Sequence, residues 1–242
     1  MTQKTAEEFW NDQYAAGKVA IGEDSALRAA SAYFGDVAGK AVLDIGCGDG
    51  GASMYFAACG ANVIAVDTSR TGIERLNALC EERHVTNLRA ITCSAFDIAE
   101  YGPVDFVYGN SILHHLEPFD EFVELLASTL RSDGKAFFHE NSGSIPLLMW
   151  ARDNVVGRFG IPRLGDGIEH PLTPQEIGML RRRFDVTVHY PYVYFFGLVG
   201  VYLFRRKFER VFQALDRLVY RFPPLRRLSY YHDLQLTRRA TA

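Results

Sequence analysis

The chain is poor in cysteine and has no hydrophobic run long enough to span a membrane. Its four cysteines contain no C-x-x-C pair and lie in apolar segments, which argues against a disulfide scaffold and against a zinc site. The uncharged run 190–204 has 15 residues, whereas a bilayer-spanning helix needs about 20. The first residues are polar and lack the apolar core of a secretory signal. We therefore expect a cytoplasmic protein with reduced cysteines (Cys47, Cys59, Cys80 and Cys93).

The chain also lacks an overall basic surplus, since its net charge is −3. The charge is unevenly placed. Residues 199–228 carry eight basic and two acidic side chains, a net charge of +6, which leaves −9 for the rest of the chain. An acidic body with one basic segment argues against nucleic acid as a partner and indicates an anionic surface as the partner of that segment.

Residues 41–51 carry the most informative pattern, Ala-Val-Leu-Asp-Ile-Gly-Cys-Gly-Asp-Gly-Gly. The apolar residues predict a buried strand, the glycines a tight turn, and the apolar segment 52–59 a helix. These three elements form a nucleotide cradle, because free N–H groups point across the turn. Gly46, Gly48 and Gly51 also fit the dinucleotide fingerprint G-x-G-x-x-G, so the glycines alone leave the ligand open.

Asp44 distinguishes the two kinds of ligand. A carboxylate two residues before the first glycine would repel a pyrophosphate but would favour a ligand with an ammonium and a sulfonium group. The segment resembles motif I of the class I S-adenosylmethionine-dependent methyltransferases. The resemblance implies S-adenosyl-L-methionine as the cofactor, in contact with Asp44, Gly46, Cys47 and Gly48. An NAD-dependent oxidoreductase and a non-catalytic cofactor-binding protein are the alternatives.

The next two predicted strands lead to further cofactor ligands. The second strand ends in Asp67, followed by Thr68, about 20 residues beyond the glycines, which is the spacing at which a carboxylate meets ribose hydroxyls. Capping of the following helix is a compatible alternative for Asp67. The third strand leads to Phe96 and Asp97. The resemblance implies that Asp97 accepts a hydrogen bond from the adenine amino group while Phe96 packs nearby, and capping of a turn is the alternative for Asp97.

The fourth predicted strand, 104–108, is followed by Gly-Asn-Ser-Ile-Leu-His-His-Leu, which resembles motif IV of the same family. Because the carboxyl ends of parallel strands face the ligand crevice, we expect Asn110, Ser111, His114 and His115 near the transferred methyl group. A histidine titrates in the useful range for assisting a hydroxyl acceptor. Adjacent residues on a helix point about 100° apart, so one of the two histidines would be the base, and the sequence leaves open which one.

Ser111, His114 and His115 fall on one face of a predicted helix. The ubiquinone-pathway O-methyltransferases carry Glu, Glu and His at the matching positions and bind a divalent metal there. Ser and His replace both glutamates in this chain, which removes the anionic ligands that Mg²⁺ prefers. We therefore expect no metal, and a bound metal is the alternative that the sequence leaves open.

Three further residues would complete the pocket. Residues 6–17 resemble the F/Y-W-x-x-x-Y segment that caps the cofactor pocket in many small-molecule methyltransferases, which makes Tyr14 a cofactor contact. Anchoring of an N-terminal helix is the alternative. Glu140, at the tip of the fifth strand, and His170, in the insertion that follows, are candidate substrate contacts, with hydrogen bonding at the surface as the alternative.

The predicted fold class is α/β, a doubly wound, Rossmann-like, mostly parallel seven-stranded sheet with an antiparallel last strand and helical cap insertions. With 242 residues and 48% hydrophobic residues, the chain can bury one sizeable core. We divide this single domain into an N-terminal helical cap (1–37), a cofactor-binding core (38–140), a cap insertion (141–172), a helix with strand six (173–194), a basic amphipathic helical insertion (195–228) and the last strand with the tail (229–242).

The predicted function is in-line methyl transfer to a hydroxyl of a hydrophobic acceptor, such as a natural product, a quinone or a lipid-like molecule. N- or C-methylation of such an acceptor is the alternative. Apolar residues recur at three and four positions along 204–222 with arginines opposite, which is the pattern of a helix at a membrane surface. Packing on the protein's own core or on a homodimer partner is the alternative for this segment.

Overall fold

Seven strands form one sheet at the centre of the computed structural model: β1 (Ala41–Ile45), β2 (Asn62–Asp67), β3 (Leu88–Thr92), β4 (Val104–Asn110), β5 (Leu130–Asn141), β6 (Phe184–His189) and β7 (Tyr231–Arg238). The strand order is β3-β2-β1-β4-β5-β7-β6. Strands β1 to β5 are parallel, and β7 is antiparallel to both of its neighbours. This arrangement confirms the predicted fold class. The structure describes Asn11 and residues 24–158, 170–205 and 207–239, so the prediction for Tyr14 lies outside the described residues.

The described helices are α1 (Ser25–Phe34), α2 (Gly51–Ala58), α3 (Arg70–Glu82), α4 (Phe119–Thr129), α5 (Pro146–Asn154), α6 (Pro174–Arg183), α7 (Phe195–Phe204) and α8 (Glu209–Tyr220). Two apolar clusters flank the sheet. One contains α1, α2 and α3 and includes Tyr108 and Phe137, and we call this side the α1 face. The other contains α4 and α6 and includes Phe138, and we call it the α4 face. Strand residues alternate between the two faces, so each site residue can be assigned to one side.

The predicted N-terminus of α6 is confirmed. Thr173 is the N-cap, and its side chain accepts a hydrogen bond from the Glu176 backbone N–H at 3.3 Å. Glu176 Oε2 accepts one from the Thr173 backbone N–H at 2.7 Å. Pro174 occupies the first turn, where its missing N–H costs nothing.

The segment after β4 differs from its prediction. Ser111 has a φ of 55°, a left-handed conformation that stops regular structure directly after the strand. Only Leu113–His115 form a single 3-10 turn, and α4 begins later, at Phe119. The predicted helical face that would unite Ser111, His114 and His115 therefore does not exist.

Strand β5 and the insertion after it also differ from their predictions. The residues Ser-Asp-Gly-Lys at 132–135 predict a turn, but they lie inside β5, where a register shift between Val104 and Phe106 of β4 absorbs the extra length. The insertion, for which no periodicity was seen, contains α5 with Pro146 at its first position. An isolated bridge between Ser142 and Leu172 joins the two ends of the insertion.

Residues 195–228 form two helices, α7 and α8, instead of one long helix over 204–222. The break is local, because Arg205 and Phe208 both adopt left-handed backbone angles. Buried Asp216 on α8 accepts hydrogen bonds from the N–H groups of Phe196 and Gly197, at 2.9 and 2.8 Å, and so caps the start of α7. Within the described residues, no helix is long and apolar enough to cross a membrane.

Candidate functional site

A crevice opens on the α1 face at the carboxyl ends of β1 and β4. The strand register explains why its lining residues lie together. Asp44 of β1 is opposite Tyr108 of β4, and both side chains point to the same face. The crevice contains five of the residues predicted to bind the cofactor: Asp44, Gly46, Cys47, Gly48 and Asn110.

Sequence reasoning missed the other lining residues. Asp24 and Leu27 belong to the start of α1, where Asp24 is the N-cap and accepts a hydrogen bond from Leu27 N at 2.8 Å. Tyr108 lies in the apolar run of β4, where the sequence predicts only an aromatic residue of the core. The only available signal was the N-cap pattern at Asp24, which predicts a helix start and carries no hint of a ligand. The remaining lining residues are Asp49, Gly51 and Ala52.

Asp44 is the buried anion of the crevice, with 2% of its surface exposed. Its Oδ2 accepts a hydrogen bond from Ser53 Oγ at 2.5 Å. Burial raises the pKa of Asp44 to about 7, and the charge of Asp67 adds to this effect. A carboxyl group held close to neutrality by desolvation gains its charge readily when a cation approaches.

The glycine turn is a cradle of a different kind from the predicted one. Gly46 and Cys47 both donate their N–H groups to Val66 O, at 2.8 and 3.0 Å. Gly48 N donates to Asp67 Oδ2 at 2.8 Å, and Gly50 N donates to the Cys47 carbonyl. These four N–H groups are therefore used within the chain, which corrects the expectation that they point freely at a ligand and disfavours a pyrophosphate across the turn.

Glycine is required at position 46 because another chain segment approaches it closely. Gly46 has a φ of 66°, and a Cβ built there would lie 2.8 Å from Ile112 Cδ1. The loop after β4 thus packs directly on the turn after β1, which brings the two predicted motifs into contact.

Asp67 lies at the end of β2 and joins the glycine turn to the start of α3. Its Oδ2 accepts from Gly48 N, and its Oδ1 accepts from Ser69 N at 2.7 Å. Burial raises the pKa of Asp67, although its backbone hydrogen bonds oppose the shift. The N-cap of α3 is Ser69, so Asp67 does not cap that helix directly. Thr68 is exposed beside it.

Phe96 and Asp97 lie in the loop after β3, outside the lining of the crevice. Asp97 is exposed, and its carboxylate accepts no hydrogen bond from the described part of the chain. Phe96 is half-buried and packs on Phe122 of the α4 face, with 6.2 Å between ring centroids. The prediction that this pair contacts an adenine remains a prediction.

Glu140 holds the loop after β4. Its Oε1 accepts hydrogen bonds from Ile112 N and Leu113 N, at 2.8 and 2.7 Å, and its Oε2 lies 2.7 Å from His114 Nδ1. Glu140 has no exposed surface. We therefore correct the prediction of a substrate contact, since the Glu140 carboxylate is occupied by the loop.

The two predicted catalytic histidines are placed differently from the expectation. The His114 side chain is 2% exposed and faces Glu140 on the α4 face. His115 is half-buried, and the two rings lie 4.2 Å apart rather than diverging as they would on an α-helix. On the crevice side of the loop, Ser111 and Asn110 are exposed, and Ser111 Oγ donates to Asn110 Oδ1 at 3.1 Å.

His170 belongs to a group whose side chains could hold a metal ion. Ligand atoms of Glu117, His170 and Glu176 lie within 4.8 Å of one another, and His170 Nε2 is 3.8 Å from Glu117 Oε1. Glu117 and His170 are exposed and Glu176 is buried. This group differs from the positions at which the sequence analysis considered a metal.

A second buried histidine–carboxylate pair, His139 and Asp233, lies on the α1 face. His139 Nδ1 is 2.6 Å from Asp233 Oδ1. The pair joins β5 to β7 across 94 residues of sequence, which explains why a local pattern did not reveal it.

The fold and the crevice define a Rossmann-like α/β protein whose site suits a cationic ligand better than a pyrophosphate. The chain belongs to the family described as "Methyltransferase domain", whose model matches residues 20–184. This match confirms the resemblance to the class I S-adenosylmethionine-dependent methyltransferases that the sequence motifs indicated.

Curated relatives are about 30% identical to this chain over the part that aligns. One, a ubiquinone biosynthesis O-methyltransferase from Cupriavidus pinatubonensis, is 31% identical over 151 residues, which are 60% of this chain and 59% of the relative. Another with the same name, from Sinorhizobium fredii, is 32% identical over 57% of this chain and 56% of the relative. The chain thus matches less than two thirds of the length of these relatives.

Solved structures share the fold at low sequence identity. Geranyl diphosphate C-methyltransferase from Streptomyces coelicolor has a TM-score of 0.61 at 12% identity, with 97% of both chains covered. The [4+2]-cyclase SpnF has a TM-score of 0.64 at 14% identity, with 100% of this chain and 97% of the other covered. Because a cyclase and a C-methyltransferase share this architecture, the fold does not decide the reaction.

Proposed function

We propose that this protein transfers a methyl group from S-adenosyl-L-methionine to a hydroxyl group of a hydrophobic acceptor. The buried Asp44 beside a glycine turn with internally bonded N–H groups carries the proposal, because this site favours a cation and offers little to a pyrophosphate. Membership of the methyltransferase family supports the donor. The names of the relatives support oxygen as the atom methylated.

The chain's own residues would hold and orient the two substrates. The donor supplies a methyl group on a sulfonium that is already activated for displacement, so positioning accounts for much of the rate. Asp44 favours the cationic end of the donor, while Asp67 and the exposed Asp97 offer carboxylate oxygens to hydroxyl and amino groups. Asn110, at the end of β4, lines the same crevice and offers an amide to the acceptor or the donor.

Calorimetry of the purified protein against S-adenosylhomocysteine and against NADH tests the donor. We expect S-adenosylhomocysteine alone to bind, whereas binding of NADH alone would overturn the proposal in favour of an oxidoreductase. Turnover with methyl-labelled donor then tests the acceptor atom, using 4-octylcatechol and 4-octylaniline as a matched pair. Label in the catechol supports O-methylation, label in the aniline alone supports the N-methylation alternative, and binding without any turnover supports a non-catalytic protein.

A second proposal concerns the surface of α8, which we propose docks on an anionic membrane. Val211, Leu215 and Leu218 recur along one side of α8, and Phe222 follows two residues after its end. These side chains are 56%, 37%, 51% and 55% exposed, and we call them the exposed stripe. Phe212 points away from this stripe and packs on Gly200 of α7. Most of the apolar face predicted over 204–222 is thus left to solvent, whereas an ordinary surface helix buries its apolar side.

Charge next to the stripe argues for lipid as its partner. At about 100° per residue, Arg210, Arg217 and Arg221 fall together on one flank of the exposed stripe, and all three are exposed. An apolar stripe flanked by arginines is the arrangement of an interfacial helix, in which each basic residue near anionic lipid contributes about 1 kcal/mol. A membrane-bound enzyme of this kind would meet its hydrophobic acceptor in the lipid.

Sedimentation with vesicles tests the membrane proposal. We expect binding to phosphatidylglycerol vesicles that weakens with salt and is lost when Arg210, Arg217 and Arg221 are changed to Gln. The matched control changes three exposed arginines elsewhere, Arg83, Arg89 and Arg181, and should leave binding in place. Failure to sediment at low salt would overturn the proposal. Self-association that Leu215→Glu abolishes would assign the stripe to a second copy of the chain.

A further inference from the structure

We infer that His139, oriented by Asp233, is the base that takes the proton from the acceptor hydroxyl. This inference rests on the proposed function, because it concerns the same reaction. It assigns the proton transfer to a histidine on the α1 face and leaves His114 as a residue that holds the loop after β4.

The strand register places the pair on the same side of the sheet as the crevice. Asn110 of β4 lies opposite His139 of β5, which lies opposite Asp233 of β7. Residues directly opposite each other in a sheet point to the same face, and residues two apart on a strand do so as well. Tyr108 lines the crevice two residues before Asn110 and lies opposite Phe137, two residues before His139. The row that forms the crevice wall therefore continues into the His139–Asp233 pair.

Two contacts confirm which face the pair occupies. Thr237 lies four residues after Asp233 on β7, so its side chain points to the same face. Its hydroxyl group is hydrogen-bonded to the hydroxyl group of Tyr33 on α1, at 2.8 Å. The ring of Phe137 stacks on that of Tyr108 at 6.1 Å between centroids. His114 and Glu140, in contrast, pack with the residues of the α4 face, on the other side of β5.

The hydrogen bonding of the pair fits a proton acceptor. An ionised carboxylate only accepts hydrogen bonds, so the 2.6 Å contact assigns the proton of the neutral imidazole to Nδ1 and leaves the lone pair on Nε2. His139 Nε2 forms no hydrogen bond with the described residues. A buried carboxylate on Nδ1 also stabilises the imidazolium that forms after proton transfer.

Aromatic side chains surround the open side of the pair. The Tyr231 ring stacks on His139 with 5.4 Å between centroids and 12° between planes. Tyr192 and Tyr194 lie 5.5 and 5.9 Å from Tyr231. Burial raises the pKa of Tyr192, with further contributions from Tyr231, Asp233 and other neighbouring charges, so the Tyr192 phenol stays protonated at neutral pH. These rings offer stacking surface to an apolar or aromatic acceptor.

The proposed step balances without any further reactant. The acceptor oxygen bonds to the donor's methyl carbon as the carbon–sulfur bond breaks and its electron pair remains on sulfur. The hydroxyl proton passes to His139 Nε2, and Asp233 stabilises the resulting cation. The proton later returns to water.

The first test measures the proton transfer without turnover, using 4-nitrocatechol, whose absorption changes when it loses a proton. At pH 6, in the presence of S-adenosylhomocysteine, we expect the wild type to bind the probe in its deprotonated form and His139→Gln to bind it protonated. Asp233→Asn should shift the deprotonation of the bound probe to higher pH, because the imidazolium loses its stabilising charge. Several other titratable groups face the pair. Tyr231, Tyr192 and Tyr194 lie beside it, Tyr108 feels the charge of Asp233, and His189 lies opposite Asp233 in the β6–β7 register. His232 is on the opposite face of β7.

The second test measures turnover of 4-octylcatechol. His139→Gln should lower kcat roughly 100- to 10,000-fold with S-adenosylhomocysteine affinity and melting temperature close to wild type. The matched control, His84→Asn, changes an exposed histidine just after α3, where asparagine tolerates the left-handed backbone, and should leave kcat unchanged. Wild-type kcat in His139→Gln, or a probe bound protonated by the wild type, would overturn the inference. A deprotonated probe that depends on His139, without methylation of any acceptor, would instead contradict the proposed function while retaining the base.

Discussion

Two buried histidine–carboxylate pairs meet on β5, one on each face of the sheet. His139 and Asp233 are 2.6 Å apart on the α1 face, and His114 and Glu140 are 2.7 Å apart on the α4 face. The distances are nearly equal, but Glu140 also accepts two backbone N–H groups, whereas Asp233 has no such partner among the described residues. The role of such a pair therefore depends on the other hydrogen bonds that its carboxylate accepts. A carboxylate that also accepts backbone N–H groups fixes a loop, and we call Glu140 the clamp for this reason. A carboxylate that bonds only an imidazole orients that imidazole as a proton acceptor.

Removing the clamp should produce the largest effect. Glu140→Ala leaves the N–H groups of Ile112 and Leu113 and the His114 ring without their acceptor in a buried site. We expect a loss of roughly 3–5 kcal/mol in the free energy of unfolding, measured by urea denaturation. Asp233→Asn, which keeps an acceptor oxygen for His139, should cost clearly less. Equal losses for the two variants would remove the distinction between the pairs.

Asp44 differs from Glu140 and Asp233, because it is a buried carboxylate that bonds no histidine among the described residues. Burial raises its pKa to about 7 from an ordinary value of 3.8. The folded state therefore holds the proton more tightly than the unfolded state, so stability is lost as the pH rises from about 4 through 7. Asp44→Asn keeps an acceptor for Ser53 and should raise the unfolding free energy at pH 8 by roughly 2–4 kcal/mol. The same variant should weaken S-adenosylhomocysteine binding. A pH profile of stability equal to that of wild type would contradict this assignment.

Asp67 ends β2 and Asp97 follows the neighbouring β3, and we expect both to bind the cofactor but only Asp67 to stabilise the fold. Asp67 accepts hydrogen bonds from two backbone N–H groups, and Asp97 accepts none from the described residues. Each alanine variant should lower S-adenosylhomocysteine affinity about ten- to a hundred-fold, or roughly 1.5–3 kcal/mol, in calorimetry. Only Asp67→Ala should also lower the melting temperature. Wild-type affinity in either variant would remove that residue from the proposed site.

The features that could be predicted from the sequence are the local ones. The sequence predicts a strand over the apolar run 62–67 and a helix over 25–34, and the bounds of β2 and α1 coincide with these predictions, because such patterns are decided within a few residues. Asp44 and the glycines were identified in the same way. The predicted role of Glu140 failed because its partners, Ile112 and His114, come from another segment.

The remaining differences arise from tertiary contacts that have no local pattern. The His139–Asp233 pair depends on the register of β5 against β7, which the spacing of residues within either strand does not specify. The single helix predicted over 204–222 is broken because the apolar α7 folds back on α8, and Asp216 becomes the cap of α7 instead of a surface charge.

The smallest predicted effect concerns His232, a third histidine beside the two pairs, which forms no hydrogen bond with a carboxylate of the described residues. It lies opposite Glu140 in the β5–β7 register and is 1% exposed, and its Nε2 has no hydrogen-bond partner in the described part of the chain. Burial lowers the pKa of His232 to about 4 from 6.5, so the unfolded state binds the proton more tightly. Stability is then fully present above pH 6.5 and is lost as the pH falls from 6.5 through 4. His232→Leu removes the titrating group, so its unfolding free energy should fall by about 1 kcal/mol less than that of wild type between pH 7 and 5.5. If the two proteins show parallel profiles of unfolding free energy over this range, the pKa of His232 is not lowered, and the prediction is wrong.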